Sequence, residues 1–334
     1  MPSSTIGTFT DPDAYHAAIR NAEVEGIVTA RGEYRAELSR IDLHRIWMQR
    51  AVESLPRIVI AKRSDWRTTV LFVTDERQPP LQVRGIELTY GEILVLGSRS
   101  ADHQRTSAAS KWGVMSMPVE DLEAAGLAIV GQALKPSPLT YRLRPPPMVI
   151  SRLLDLHEAA GQLSKNAPDI LVKEEVAQAI EQGLVHAMVT CMTSSGIAPH
   201  QSVNLRHTKV LGRLEEALFA NSDRALYLAD LCAATGASAS TLRNCCQEHL
   251  GMSPMKYLRL RRMNFARRAL RMGDPATTTV TEIATDYGFW ELGRFSVSYQ
   301  ALFGETPSAS LRRPAEDLRP GQSSGSPWEF AKNA

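Results

Sequence analysis

The chain has 334 residues, with 38 Lys/Arg against 36 Asp/Glu and 43% hydrophobic content. That is ordinary globular material, long enough for two buried cores, and no apolar run approaches the roughly 20 residues of a membrane span. The net charge of +2 is unevenly spread: residues 206–313 hold 15 Lys/Arg and 10 Asp/Glu, the remainder 23 and 26. The positive charge that a polyanion would meet therefore lies in the C-terminal part.

The four cysteines, Cys191, Cys232, Cys245 and Cys246, form no C-x-x-C pair, and no histidine stands at zinc-ligand spacing from them. Buried thiols in a reducing cytosol are expected, with no disulfide and no metal. No charged-then-apolar leader opens the chain, so a cytoplasmic location without membrane contact is expected.

Residues 1–25 read as a lead-in, with Asp11-Pro12-Asp13 placed to cap a short helix over 14–21. From 26 to about 120 the texture is β: short apolar or alternating runs at 41–48, 57–61, 68–73, 86–90 and 93–96, punctuated by Pro79, Pro80, Gly85, Gly91 and Gly97. Such spacing suggests a β-sandwich or small barrel. Trp47, Trp66, Tyr90 and Trp112 are candidates to line a small-molecule pocket in it. Residues 118–126 then read as a helix stopped by Gly126.

After Pro145-Pro146-Pro147 the texture turns helical over 150–163 and 170–192. In the second stretch Val172, Val176, Ile180, Leu184 and Met188 recur every fourth residue, marking an amphipathic helix. Two uses of its apolar face stay open, closing the β-domain or pairing with its twin in a homodimer. Residues 194–205 have linker composition, the C-terminal domain runs from 206 to 313, and the tail at 314–334 is expected to be disordered. The first domain is thus placed at 26–193, and the fold class is α+β, with a β-sandwich or barrel and its packing helices before an all-α domain.

The C-terminal domain contains a repeat. Leu228, Asp230, Leu231 and Gly236 return as Val280, Glu282, Ile283 and Gly288; Gly251 and Pro254 return as Gly304 and Pro307. Between the glycines Leu242, Cys246 and Leu250 align with Phe295, Tyr299 and Phe303, a buried i, i+4, i+8 stripe. A short helix, a Gly turn and a second helix with one buried stripe make a helix-turn-helix. Motif 1 spans about 228–249 and motif 2 about 281–304.

In motif 1 Ser238 stands at an N-cap, and the next two turns present Ser240, Thr241, Arg243 and Asn244 on the face away from the core. Arg can pair bidentately with guanine and Asn with adenine, each discriminating by about 1–3 kcal/mol. Motif 2 offers Leu292, Gly293, Arg294 and Val297, a set suited to phosphate anchoring and thymine-methyl contact more than to base reading. A helix over 254–272 joins the motifs, with Tyr257, Leu260, Met263, Ala266 and Leu270 on one face. Arg259, Arg261, Arg262, Arg267, Arg268 and Arg271 occupy its other faces, most of them expected in solvent or paired with acids and some near phosphates. Nineteen residues at 1.5 Å rise give about 28 Å, near the roughly 34 Å between successive major grooves.

These residues resemble the AraC/XylS family of bacterial transcription regulators over about 100 positions, from near 210 to 313. The likeness rests on Gly288-Phe289, Gly293-Arg294-Phe295, Tyr299, Leu302 through Ser308 and Leu311-Arg312. In motif 1 it rests on Leu231, Gly236, Ser238, Leu242, Gly251 through Pro254 and Tyr257-Leu258. It implies a seven-helix DNA-binding domain in which Ser240, Arg243 and Asn244 stand at base-contact positions, as do Gly293 and Val297. Small or apolar residues there depart from the family's longer polar ones, and Cys246 replaces a common aromatic. Gly85, Leu88, Gly91, Trp112 and residues 118–122 resemble, more faintly, the cupin-like sensor domain of one branch. The implied protein is a nucleoid-associated regulator, expected to be an activator. Its implied partners are double-stranded promoter DNA, RNA polymerase, a small effector and a second copy of itself; no cofactor and no enzyme activity are expected.

Two rivals use the same residues differently. A cupin-type metalloenzyme needs clustered histidines with a carboxylate, and the β-region offers only His44 and His103, far apart. An architectural DNA binder would have no use for some 190 residues of sensor-like domain.

Overall fold

The computed structural model describes residues 2–97, 102–194, 205–221 and 226–313. Its N-terminal elements are β1 (Ser3–Phe9), α1 (Pro12–Ala18), β2 (Ala22–Val28), β3 (Ala36–Asp42), β4 (Trp47–Glu53), β5 (Arg57–Arg63), β6 (Arg67–Val73), β7 (Leu81–Val83), β8 (Ile86–Leu88), β9 (Ile93–Leu96), β10 (Asp102–Arg105), β11 (Ser110–Pro118), α2 (Val119–Val130), β12 (Tyr141–Leu143), α3 (Pro147–Asn166), α4 (Pro168–Leu171) and α5 (Glu174–Ser194). The strands form two antiparallel sheets, ordered β1-β3-β4-β11-β6-β9-β12 and β2-β5-β10-β7-β8.

Strand β6 shows how the layers stack. All seven of its residues are buried, and the four apolar ones, at 70–73, alternate between two cores. Leu71 and Val73 face the second sheet and share a cluster with its Leu81, Val83 and Leu88 and with Trp112 of β11. Val70 and Phe72 face the opposite way, against Ile150 and Leu153 of α3 and Leu184 and Met188 of α5. The period of two puts one strand in both cores, so its run reads as continuously apolar. The apolar face of α5 is therefore spent inside its own domain rather than on a twin.

Several expectations are corrected. Residues 1–25 are not a lead-in but form β1, α1 and most of β2, with β1 paired to β3 along its whole length. The run at 41–48 is not one strand: it covers the end of β3, a turn over 43–46 and the start of β4. Helix α2 passes through buried Gly126 and stops at Gly131, whose φ of 72° suits a residue without Cβ. The helix expected over 170–192 breaks into α4 and α5, leaving Val172 39% exposed at the break. Between the helix ends at 194 and 205, the linker region lies outside the described residues, as does the tail at 314–334.

The C-terminal domain comprises α6 (Leu205–Ala220), α7 (Leu228–Thr235), α8 (Ala239–Leu250), α9 (Pro254–Met272), α10 (Val280–Asp286), α11 (Leu292–Phe303) and α12 (Pro307–Arg312). Helix α9 belongs to two cores at once. Its first half gives Tyr257 and Leu258 to a cluster with Leu214, Leu231, Leu242 and Cys246. Its second half gives Met263, Ala266 and Leu270 to a cluster with Ile283, Phe295 and Tyr299. One rod thus fixes both motifs. Cys246 is fully buried despite its small size, and burial pushes its thiol up to about 12. Among the described residues no helix is long and apolar enough to cross a membrane.

The two domains share a seam. Ile27 of β2 and Ile58 of β5 join the first C-terminal cluster. Val28 exchanges two backbone hydrogen bonds with the Asn264 amide, at 3.1 and 3.2 Å. Arg261 reaches Glu25 at 3.0 Å, Arg268 pairs with Asp13, and Arg267 (3.2 Å) and Arg271 both pair with Asp11. Four of the six linker arginines therefore face the N-terminal domain, and three of those four, Arg261, Arg267 and Arg271, are buried.

Candidate DNA-binding surface

Motif 1 is built for a protruding first turn. Helix α7 begins with the Tyr227 amide donating to Asp230 at 2.8 Å and ends at Gly236, whose φ of 64° only glycine adopts without strain. The Ser238 hydroxyl accepts from the Thr241 amide at 3.1 Å, starting α8 cleanly. Leu242, Cys245, Cys246, His249 and Leu250 are buried, which leaves Ser240, Arg243 and Asn244 exposed on the outer face. Neither Arg243 nor Asn244 has a side-chain partner among the described residues, so both donors face solvent. Thr241 differs: it is half-buried, and its hydroxyl sits 2.9 Å from that of Ser238, tied into the cap. Gln247, one turn beyond Arg243, is also exposed, a polar group the sequence reading passed over.

Motif 2 repeats the plan with different chemistry. Thr279 and Glu282 satisfy each other's amides in a capping box, and Gly288 makes the turn at φ 76°. Phe295 and Tyr299 are buried, while Phe303 is only half-buried. Helix α11 carries no side-chain cap at its start. Its exposed face presents Leu292, Gly293, Arg294 and Val297, beside Trp290. Arg294 pairs with Glu291 at 2.8 Å, both well exposed, a pair worth little in water. Val297 and Trp290 are 71% and 72% exposed, an apolar surface that nothing in the described chain covers. A groove between α9 and α11 brings Arg259 and Arg262 alongside it, and Arg259 donates to the Ser298 hydroxyl at 2.6 Å. These two linker arginines are the ones on the reading side. Pro254 and Pro307 each occupy the first turn after a hydroxyl cap, Ser253 and Thr306.

A second site lies inside the β-domain. A cavity between the sheets is walled by Val59, Leu71, Leu96 and Trp112, with Asn21, Arg57 and Thr69 among its polar lining. The Arg57 Nη1, Asn21 Nδ2 and Thr69 Oγ1 atoms are buried without a hydrogen-bond partner among the described residues. Arg57 donates to Glu53 at 2.6 Å, and Trp112 Nε1 donates to the other Glu53 oxygen at 2.8 Å. Burial alone would raise the Glu53 carboxyl, but Arg57, with His16 and the Trp112 hydrogen bond, holds the group below its ordinary range. Of the four aromatic pocket candidates only Trp112 lines this cavity. Trp47 and Trp66 stack edge-on at 5.3 Å with Arg67 against both rings, and Tyr90 lies 43% exposed on a turn. His44 and His103 do not meet: the first pairs with Glu174 of α5, the second with Glu215 of α6.

Two capped helix pairs on one rod, each exposing the first turns of its second helix, define a tandem helix-turn-helix DNA-binding domain. Residues 231–313 match the family described as a helix-turn-helix domain. The chain is 40% identical over 95 residues to a probable thc operon regulatory protein of Rhodococcus erythropolis, across 28% of this chain and 29% of that protein. It is 38% identical over 81 residues to a XylDLEGF operon transcriptional activator of Pseudomonas putida, across 24% and 25%. The chain thus spans less than a third of the length of either relative. In fold it is similar to the AraC-like transcriptional activator CuxR, at 16% identity and a TM-score of 0.41 over 80% of this chain and 96% of that one. The C-terminal domain belongs to the AraC/XylS type of helix-turn-helix domain.

Proposed function

We propose that the protein is a ligand-responsive transcription activator that lays α8 and α11 into successive major grooves of promoter DNA and recruits RNA polymerase. The observation that carries this is the pair of solvent-facing first turns, Ser240, Arg243 and Asn244 on one and Arg294 and Val297 on the other, held by a single 19-residue helix. Motif 1 reads bases; motif 2 anchors phosphates and touches thymine methyls. Two operon regulators matched by this domain are described as a regulator and an activator, which favours activation.

The effector enters the cavity between the sheets. Its chemistry follows from the lining: an apolar body against Val59, Leu71 and Trp112, and an acceptor or anionic group for the unpartnered donors of Arg57 and Asn21. Strands β2 and β5 carry the signal, because they are walls of both compartments. Arg57, Val59 and Ala61 line the cavity, while Ile58 packs on the C-terminal domain. A ligand that moves β5 shifts the seam and with it the helix α9 that positions both motifs. That shared wall favours sensing over an architectural role.

Genome-wide mapping of DNA bound by the full chain tests the reading. Two short sequence blocks about 10 base pairs apart are expected, the more informative under α8. A single block, or none, would refute it.

A further inference from the structure

The last turn of the first recognition helix carries groups that DNA reading leaves idle. His207 of α6 and Glu248 and His249 of α8 each offer one ligand atom, and the three atoms lie within 4.8 Å of one another. His207 Nδ1 stands 2.7 Å from one Glu248 oxygen, and His249 Nε2 stands 3.7 Å from the other. The second distance is too long for a hydrogen bond. His249 Nε2 is buried without any hydrogen-bond partner among the described residues, on a side chain 1% exposed.

A buried imidazole nitrogen facing a carboxylate oxygen from 3.7 Å is poorly served in either tautomer. As a donor it is too far away; as an acceptor it meets negative charge. A cation between them resolves both.

We propose that His207, Glu248 and His249 form a binding site for a divalent first-row metal ion, zinc foremost, at the seam between the domains. Two imidazoles and one carboxylate are a donor set that such ions accept, and they leave a fourth position for water. Bonds of about 2.0–2.1 Å place tetrahedral ligands about 3.4 Å apart, so the cluster closes by a modest turn of its most exposed member. That member is Glu248, whose side chain is 43% exposed. The β7–β8 turn roofs the site: a Cβ on Gly85 would lie 3.3 Å from the His249 ring and 3.4 Å from the Glu248 carboxylate. Arg84 on the same turn would repel a cation, but it is paired with Asp102 at 3.2 Å. The ion would tie α6 to the end of α8 beneath the sensor domain. The sequence spacing hides this site, since His207 and Glu248 stand 41 positions apart.

The test uses the full chain stripped by chelator and titrated with Co²⁺, then with competing Zn²⁺. One ion per chain is expected, with visible absorption of a nitrogen–oxygen site and no near-ultraviolet sulfur-to-metal band. Glu248→Gln and His207→Gln alter side chains that are not fully buried. Each should weaken binding about tenfold or more while leaving the chelator-treated melting temperature unchanged. The proposal is overturned if the wild type takes up neither ion at micromolar concentration. It is overturned equally if both variants bind like the wild type, or if a sulfur band shows that Cys245 or Cys246 is the ligand.

Discussion

Asp11→Asn tests the seam with little else disturbed. Asp11 does two things at once. One oxygen caps α1, accepting the amides of Asp13 and Ala14 at 2.9 and 3.1 Å. The other meets Arg271 and, at 3.2 Å, Arg267. Asparagine caps a helix about as well as aspartate, so the substitution keeps α1 and removes the charge. The side chains of Arg267 and Arg271 are only 9% and 2% exposed and would lose their shared anion. Breaking one side of a buried pair costs about 3–5 kcal/mol. Arg267 keeps Glu305 at 3.8 Å, which argues for the lower end, about 3 kcal/mol. That is a loosening of domain docking by roughly 150-fold. Hydrogen–deuterium exchange on the full chain reads it by segment. Protection of α1 and the second half of α9 should fall by about two orders of magnitude, while α3 and α5 keep theirs. Unchanged exchange in α1 and α9 would refute the claim that these arginines hold the domains together.

Arg243→Ala should cost about 1–3 kcal/mol of specific binding and relax preference at one base pair; an unaltered preference in selection from random DNA would contradict the role given to α8. Arg294→Ala should lower the slope of log affinity against log salt by about one while leaving sequence preference intact, because its task is phosphate contact; a changed consensus would mean that α11 reads bases. Acid should unfold the protein early. His16, His157 and His249 are held at about 4, 3 and 4, chiefly by burial, while unfolded histidine titrates near 6.5. Between those values the unfolded chain binds more protons, so the stability these residues supply is complete above about pH 6.5 and is lost as pH falls. At pH 5 each deficit is worth about 2 kcal/mol; a urea midpoint that is flat from pH 7 to 5 would show that these rings are not neutral in the fold.

The helical domain was legible because its signals are local. The repeated acids Asp230 and Glu282, the turns at Gly236 and Gly288 and the four-residue stripes each depend on neighbours within a dozen residues, and the helix expected at 254–272 is α9 to the residue. The β-domain was legible only where hydrophobicity is continuous, as in β6. Strand β11, with Lys111, Gly113 and Ser116 among its residues, is held by pairing to β4 and β6 on both sides, a non-local cause that no window reveals. The same holds for β1, which owes its place to β3. The seam was invisible because Asp11, Asp13 and Glu25 lie more than 230 positions from the arginines they meet. Sequence spacing identified the arginines on α9 but not which way they face. Of the aromatic candidates Trp47 and Trp66 lie away from the cavity, because aromatic type alone does not say which side of a strand a ring occupies.

The central claim is that one rigid helix sets the distance between two groove contacts, and changing that distance in the DNA tests it most directly. Once the bound site is mapped, five base pairs inserted between its two blocks turn the second block to the opposite face of the duplex. The account predicts that the full chain then keeps the α8 footprint, loses protection under α11 and binds at least tenfold more weakly. Equal affinity with both patches still protected would mean that α9 does not fix the spacing.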